Sequence, residues 1–331
     1  MDVPANIEDL AQRLEDELSS IVSSRDMQLY KIMSYHMGWE GEGAPDKKKR
    51  RDDGILCLLA TRATGGDVDT ALPAAAAIEL VHGFCEIHDD VQGGKPQRDS
   101  RDAVWWKWGP AQAINAGDGM HALARLALSG LVQRGITATK TFQAVYLLDE
   151  ASLRTCEGRF LDLEAQERID LSVQSYMVMA ERKTGSLVSC AMRLGGLVAT
   201  DEEDALDSLA ECGAKIGLAT QISGDLREMW GDEDGPSPEV MNKKKLLPIV
   251  YALEKANRNE KRKLGEAFFK RVLEPDDARR LVEAVEEMGA RQHCEQLVRE
   301  YRDQAISALD APGIDKGAAA DIEAHVDSMF E

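Results

Sequence analysis

An apolar helical pattern that ends in two adjacent carboxylates constrains this chain more than any other feature of its sequence. Residues 74–87 are apolar at the spacing of a buried helix, and Asp89 and Asp90 follow almost at once. Carboxylates are costly to remove from water unless a cation or a ligand meets them. On a helix, His82, Glu86 and Asp90 lie on one stripe, because residues three and four apart are neighbours. The pattern therefore indicates a site at the end of a core helix.

A second stripe with the same spacing occurs far downstream. It consists of Gln221, Asp225, Glu228 and Asp232. Two helices that carry such stripes could face each other with oxygen ligands across a cavity. Hard cations such as Mg²⁺ favour this kind of site, particularly when a diphosphate supplies the remaining ligands. The two stripes together predict a site for magnesium and a diphosphate.

The charge balance and the cysteine pattern argue against several classes of protein. The net charge is −19 and the sequence pI is about 4.8, which disfavours nucleic acid or an anionic membrane surface as the main partner. The six cysteines are scattered without a Cys-x-x-Cys pair, which favours a reducing compartment. The sequence has no signal-peptide pattern and no run of the ~18 apolar residues that a membrane span needs. We therefore expect a cytoplasmic protein without an integral membrane segment.

Helical periodicity continues along the chain, and neither alternating strand patterns nor internal repeats interrupt it. We therefore expect a single all-α domain over residues 1–331. Within this domain we distinguish N-terminal helices over residues 1–42, a catalytic core over residues 43–253, and C-terminal helices over residues 254–331. A basic run at residues 47–51 stands out in this acidic chain. It is either a solvated segment or an anion-binding one.

Several motifs occur together in one order. They are LLA with GGD at residues 58–67, AAAAIELVH at 74–82, IHDD at 87–90, GPAQAINAGD at 109–118, KTG at 183–185, the second acidic stripe, and KLLP at 245–248. Each of these motifs alone is a weak signal. Their order and spacing resemble the polyprenyl synthetase family, the trans-isoprenyl diphosphate synthases, from about Gly43 to Leu253.

The resemblance implies an all-α isoprenoid synthase bundle around a central cavity, in which about three Mg²⁺ ions hold an allylic isoprenyl diphosphate. Metal ions and basic side chains draw the diphosphate away, and the allylic cation that remains reacts with an acceptor alkene. The family also implies a homodimer. Carried over by position, the metal ligands are Asp89, Asp90, Asp225 and Glu228, and the diphosphate-binding residues are Arg98, Lys183, Gln221 and Lys245.

Both metal motifs lack one carboxylate of the family's Asp-Asp-x-x-Asp pattern. Gly93 stands at the fifth position of the first motif, and Gly224 precedes Asp225 in the second. Glu86, one helical turn before Asp90, is a candidate for the ligand that Gly93 cannot supply. We infer that each metal site keeps only part of its donor set.

The side that holds isopentenyl diphosphate in the family departs further. Asp53 replaces an arginine of the family's Gly-Lys-Arg-x-Arg-Pro segment, and Asp99 replaces the second arginine of the pair that begins at Arg98. Two cations that attract a phosphate have thus become anions that repel it. Phe84 and Cys85 lie where the family closes the floor of the cavity, which favours a prenyl chain of short to medium length. The remaining acceptor-side candidates are Arg50, Arg51 and His82.

Three hypotheses on function follow. The first is Mg²⁺-dependent prenyl transfer from an allylic diphosphate to an acceptor by a reaction other than standard condensation with isopentenyl diphosphate. The second is a terpene cyclase on the same fold, for which a double bond of the same prenyl chain is the acceptor. The third is a non-catalytic partner subunit of a prenyl diphosphate synthase, which the missing carboxylates suggest. Retention of several motif residues argues against the third hypothesis: Lys183, Gln221, Asp225, Glu228 and Lys245.

Overall fold

A computed structural model describes residues 6–40, 49–168, 170–231 and 236–330 of the protein. Within these residues the chain is almost entirely helical. The only strands among them are β1 (Gln97–Arg98) and β2 (Arg101–Asp102), which pair antiparallel as a small hairpin. A short 3₁₀ turn covers Val132–Arg134, and a single π-helical turn covers Glu181–Gly185.

The α-helices follow one another with short connections, as the sequence predicts. Their bounds are α1 Ile7–Ser23, α2 Gln28–His36, α3 Asp52–Ala63, α4 Val68–Gly93, α5 Val104–Trp108, α6 Pro110–Ser129, α7 Ala138–Ala165, α8 Val173–Ala180, α9 Ser186–Ala199, α10 Glu203–Trp230, α11 Pro238–Met241, α12 Leu247–Lys255, α13 Arg258–Phe269, α14 Pro275–Glu287, α15 Ala290–Ala308 and α16 Lys316–Phe330.

The chain divides into two compact units. The first unit comprises Met1–Ser152, Cys190–Ala210 and Leu309–Ser328, and the second comprises Leu153–Ser189, Glu211–Ala308 and Met329–Glu331. Each unit buries its own apolar side chains. The division into N-terminal helices, catalytic core and C-terminal helices within a single domain stays a prediction.

Helix α4 is the core helix of the first unit. It packs against α3 and α6, and the side chains of residues 74–78 along it are fully buried. Asp67 caps its first turn by accepting a hydrogen bond from the backbone N–H of Asp69 at 3.1 Å. Gly94 ends the helix in the left-handed region, with φ 60°, where a residue without Cβ costs least. The acidic pair therefore lies on the last turns of a rigid, buried helix.

Among the described residues, α4 is also the one helix whose length and composition would let it cross a membrane. However, 78% of its most apolar window is buried inside the protein. Core helices of soluble proteins pass the same test, so this finding is weak evidence for a membrane segment. The burial instead agrees with the role of α4 at the centre of its unit.

A cluster of apolar side chains from α8, α10, α12 and α15 forms one core of the second unit. Tyr176, Leu218, Ile222 and Leu247 are among its buried members. The π-helical turn between α8 and α9 lies close to α7, where a side chain on Gly158 would overlap the backbone of Lys183. Single π-turns occur frequently at functional sites, and this one contains Lys183.

Two helical glycines should respond in opposite ways to alanine. A Cβ on Gly195 would overlap the carbonyl oxygen of Cys57, whereas a Cβ on Gly224 would meet no atom within 4 Å. We expect Gly195→Ala to lower the free energy of unfolding by about 1–3 kcal/mol through overpacking. We expect Gly224→Ala to leave it unchanged or raise it by up to about 1 kcal/mol, because alanine favours the helix. Urea unfolding followed by circular dichroism measures both, and similar destabilisation of both variants would contradict the packing.

Candidate functional site

The first acidic motif lies at the carboxyl end of α4 and is held by the β1–β2 hairpin. Arg98 on β1 donates two hydrogen bonds to the buried carboxylate of Asp90, from Nε to Oδ2 at 2.9 Å and from Nη2 to Oδ1 at 2.8 Å. Such paired contacts fix geometry as well as charge. Burial raises the pKa of Asp90, and the hydrogen bonds from Arg98 oppose this rise. Asp90 therefore holds Arg98 in place, while Asp89 beside it is partly exposed.

Asp99 forms the tip of this hairpin together with Ser100. Both residues have positive φ angles, 50° and 61°, as two-residue hairpin turns require. Aspartate tolerates this conformation better than most residues that have a Cβ. The backbone of the turn is thus a second physical reason for an aspartate here, beside the predicted repulsion of phosphate.

Glu86, one turn before Asp90, is the centre of a cluster of basic side chains. Its carboxylate accepts hydrogen bonds from Lys49, from His36 Nε2 at 3.2 Å and from Arg98 Nη1 at 3.0 Å. His82 Nε2 lies 3.7 Å from the same carboxylate. These partners would have to be displaced, at least in part, before Glu86 could bind a metal ion. Its role as a compensating ligand stays a prediction.

The cluster shifts the protonation of its members in opposite directions. Burial would raise the pKa of Glu86, but Lys49, His36 and His82 hold it well below the usual value. Burial would lower the pKa of His82, but Asp53 and Glu86 raise it well above the usual value. Burial and the charge of Lys49 lower the pKa of His36 to about 4. At neutral pH, His82 is therefore charged and His36 is neutral.

Each of the three acceptor-side candidates contacts a carboxylate of the protein. Arg50 binds Asp52 and the carbonyl oxygen of Ser328, and half of its side chain is exposed. Arg51 is buried and binds Glu15 at 2.6 Å and the carbonyl oxygen of Met37 at 2.8 Å. His82 Nδ1 lies 2.9 Å from Asp53 Oδ2. Lys47 and Lys48 of the basic run lie outside the described residues.

The two residues predicted to close the cavity floor differ in burial. Cys85 is buried, with 4% of its surface exposed. Phe84 is partly buried and packs its ring against His88 and His121, with centroid distances of 4.6 and 5.1 Å. Their role in limiting chain length stays a prediction.

The second acidic motif lies on α10, and its central carboxylate is saturated with uncharged donors. The buried Asp225 accepts hydrogen bonds at Oδ2 from the Tyr176 hydroxyl at 2.5 Å and from the Leu247 N–H at 2.6 Å. At Oδ1 it accepts one from Gln221 Nε2 at 3.1 Å. Burial raises the pKa of Asp225, and these hydrogen bonds oppose the rise. Glu228 on the same helix is partly exposed, and Asp232 lies outside the described residues.

Two lysines predicted to bind diphosphate lie in the same unit as Asp225. Lys183 Nζ binds Asp162 at 2.6 Å, and its neighbour Thr184 donates a hydrogen bond to Gln221 Oε1 at 2.7 Å. Lys245 is 4% exposed, and its ammonium group contacts the carbonyl oxygen of Gln166 at 3.2 Å. The ammonium group also lies 3.5 Å from the carbonyl oxygen of Lys243 and 4.4 Å from the centroid of the Phe268 ring, and burial lowers its pKa. A buried ammonium group whose partners carry no negative charge suits an anionic ligand.

The structure thus gathers the predicted residues into one network in each unit. Glu86, His82, Asp90 and Arg98 belong to the first network, and Gln221 and Asp225 to the second. The sequence analysis did not identify several hydrogen-bond partners of these residues. Two of the missed partners lie within motifs that it did recognise: Lys49 in the basic run and Thr184 in the KTG motif. The missed partners are His36, Lys49, Asp162, Tyr176 and Thr184.

The donor set fits magnesium only where phosphate supplies most of the ligands. Among the described residues no group of three or more His, Cys, Asp or Glu side chains is placed to hold a metal ion. Asp90 and Asp225 are buried and accept hydrogen bonds from protein donors, and Asp89 and Glu228 lie on the same helices with part of their surface exposed. Mg²⁺ typically takes one or two carboxylates together with substrate phosphates and water. Asp89 and Glu228 are the residues of each motif that suit this mode.

Comparison with known proteins identifies relatives along most of the chain. Residues 44–285 match the polyprenyl synthetase family. The chain is 35% identical over 243 residues to the geranylgeranyl diphosphate synthase of Mycobacterium tuberculosis, covering 71% of this chain and 68% of that enzyme. It is 28% identical over 316 residues to a (2E,6E)-farnesyl diphosphate synthase of the same species, covering 92% and 87%. A polyprenyl synthetase crystal structure from Streptomyces coelicolor A3(2) matches with a TM-score of 0.88, 29% identity and 98% coverage of both chains.

The chain therefore belongs to the polyprenyl synthetase family. The predicted all-α isoprenoid synthase fold is confirmed by the Streptomyces structure. It is also confirmed by a geranylgeranyl pyrophosphate synthetase from Pyrococcus horikoshii, with a TM-score of 0.87, 25% identity, and coverage of 98% of this chain and 97% of that one. The relatives named above are prenyl diphosphate synthases, so the prediction of an enzyme of the prenyltransferase class is also confirmed.

The buried His36 should make the fold sensitive to acid. Its pKa is about 4 in the folded chain, below the usual 6.5, so the unfolded chain binds a proton first as the pH falls. We expect the free energy of unfolding to fall by up to roughly 3 kcal/mol as the pH decreases from 6.5 to 4. His36→Gln keeps a donor for Glu86 but does not titrate, so its free energy of unfolding should fall less over this range. Parallel profiles in urea unfolding would contradict this assignment.

Proposed function

We propose that the chain acts in isoprenoid biosynthesis by ionising an allylic prenyl diphosphate of short to medium length and transferring the prenyl group to an acceptor. Membership of the polyprenyl synthetase family supports the prenyl transfer. Two of its relatives are named as synthases of geranylgeranyl and farnesyl diphosphate, which supports the class of substrate. We further propose that the chain forms a homodimer in the cytoplasm.

The proposed residue roles divide between the two acidic motifs. Lys183, Gln221 and Lys245 are the proposed diphosphate-binding residues of the second unit, and Arg98, fixed by Asp90, is that of the first. Asp89 and Glu228 would hold Mg²⁺, which supplies positive charge to the leaving group when it is bound. The buried Lys245 supports this reading, because the partners given for its ammonium group are two carbonyl oxygens and an aromatic ring, and none of them carries a negative charge.

We propose that the acceptor is not isopentenyl diphosphate in the standard condensation. One observation carries this proposal: Arg50, Arg51 and His82 each already contact a carboxylate of the protein. A diphosphate would have to displace these carboxylates. The buried Asp53 would then lose the ring nitrogen of His82, and Glu15 would keep only the N–H of Trp39 in place of a cation.

The same observation favours a terpene cyclase as the second candidate. A cyclase needs no second diphosphate, because the acceptor alkene lies on the same prenyl chain. The third candidate, a non-catalytic partner subunit, is favoured by the saturation of Asp90 and Asp225 with protein donors.

Turnover of allylic diphosphates separates these candidates. We expect the protein with Mg²⁺ to release diphosphate from geranyl, farnesyl or geranylgeranyl diphosphate, with Lys183→Gln slower by roughly 10²-fold because a leaving-group contact is lost. Gas chromatography identifies hydrocarbons, and liquid chromatography identifies extended diphosphates. Hydrocarbons formed without a second substrate would indicate a cyclase. Extension by isopentenyl diphosphate would refute the proposed acceptor, and no turnover of any substrate would favour the partner subunit.

Restoring the two missing carboxylates tests the metal positions. A side chain at Gly93 would make only ordinary contacts with Lys95, at 3.5 Å or more, and one at Gly224 would meet no atom within 4 Å. We expect Gly93→Asp with Gly224→Asp to lower the Mg²⁺ concentration for half-maximal turnover by about tenfold. The matched control is Gly93→Asn with Gly224→Asn, which adds nearly the same volume without charge. An equal Mg²⁺ requirement in both pairs would contradict the proposed metal sites.

A further inference from the structure

The basic side chains around His82 are matched by carboxylates of the same unit. Each cation contacts at least one carboxylate among the described residues, and the carboxylate of Glu86 contacts three of the cations. The five cations are Lys49, Arg50, Arg51, His82 and Arg98. The five carboxylates are Glu15, Asp52, Asp53, Glu86 and Asp90. The cluster is therefore neutral as it stands, whereas a site for a diphosphate needs an excess of positive charge.

Two of these carboxylates, Asp53 and Glu86, face the partly exposed side chain of His82. The imidazole of His82 is 43% exposed, and Asp53 and Glu86 are 10% and 14% exposed. Asp53 lies 2.9 Å from Nδ1, and Glu86 lies 3.7 Å from Nε2. Both ring nitrogens are thus turned towards carboxylates of the protein. An anion from solution that approached the ring would meet these carboxylates first.

The remaining cations of the cluster also contact acceptors of the protein, and Arg50, the most exposed of them, binds Asp52 and the carbonyl oxygen of Ser328. Glu86 binds Lys49 and Arg98, and Arg98 also donates hydrogen bonds to Asp90. Arg51 is buried against Glu15. Because displacement of a buried carboxylate from its cations is costly, these pairs are more stable than a pair with a mobile ligand.

We propose that Asp53 and Glu86 are built-in anions of this pocket and determine its specificity. They occupy the positive groups that a second diphosphate would need, and they restrict the acceptor to a molecule or chain end without a phosphate group. That the pocket holds the acceptor rests on the proposed function. The exclusion of an external diphosphate rests on the contacts alone.

Binding of inorganic pyrophosphate tests this exclusion without any reaction. Isothermal titration would be done in EDTA, so that no divalent ion takes part, on the full chain and on Asp53→Asn with Glu86→Gln. We expect this double variant to bind pyrophosphate at least about tenfold more tightly than the wild type, because Lys49 loses its carboxylate partner, Arg98 loses one of its two, and two negative charges leave the pocket.

A matched control removes the same charge elsewhere in the unit. Glu17→Gln with Asp149→Asn frees Arg134 and Arg125 of two surface pairs. Its pyrophosphate affinity should stay within about twofold of the wild type, because exposed pairs contribute little. Tightening in this control equal to that in the double variant would overturn the proposal, since the effect would then be one of net charge.

A single variant covers the case in which the double variant does not fold. Asp53→Asn leaves Glu86 with its cations and should tighten pyrophosphate binding about threefold or more. No tightening in a folded variant would overturn the proposal. Turnover of allylic diphosphates by the wild type is measured in parallel: its absence would refute the proposed function but would leave the pyrophosphate result standing.

Discussion

A carboxylate that is largely removed from water in a helical protein needs hydrogen-bond donors or cations as partners. In the first unit, Glu86 meets this need with side chains from several segments of the chain. Its partners come from α2, from the segment before α3, from α4 itself and from the β1–β2 hairpin. Removal of one partner from a buried ion pair typically costs about 3–5 kcal/mol. The requirement therefore ties three other segments to the end of α4 and fixes the orientation of Arg98 there.

The second unit meets the same requirement in a different way. Asp225 is more deeply buried than Glu86, and its hydrogen bonds come from Tyr176, Gln221 and a backbone N–H, which carry no charge. Neutral donors satisfy the hydrogen-bonding capacity of the Asp225 oxygens without cancelling the negative charge of the carboxylate. This charge can therefore still attract a cation nearby. The carboxylate of Glu86, by contrast, is neutralised where it lies. The two acidic stripes look alike in sequence, yet one is neutralised and the other is not.

Local pattern and tertiary contact account for what the sequence could and could not predict. The bounds of α4 and the places of Asp90 and Asp225 were predictable, because apolar periodicity and motif spacing are local. The pairing of Arg51 with Glu15 joins residues 36 positions apart, and no local pattern encodes it. The hydrogen bond of Tyr176 to Asp225 spans 49 positions. For this reason the sequence shows which charged residues these segments carry, but it does not show which of them pair.

The hairpin that carries Arg98 also limits how this chain can change. Asp99 sits at a φ of 50°, which asparagine and glycine also accept but which longer side chains adopt at a cost. A mutation that returned a cation to this position would have to accept that backbone strain, while the carboxylate of Asp53 would stay in place. Under the proposed function, a pocket that binds a second diphosphate would need changes at both Asp53 and Asp99. These residues lie on segments that are far apart in the chain, and a change at one of them would leave the other carboxylate in place.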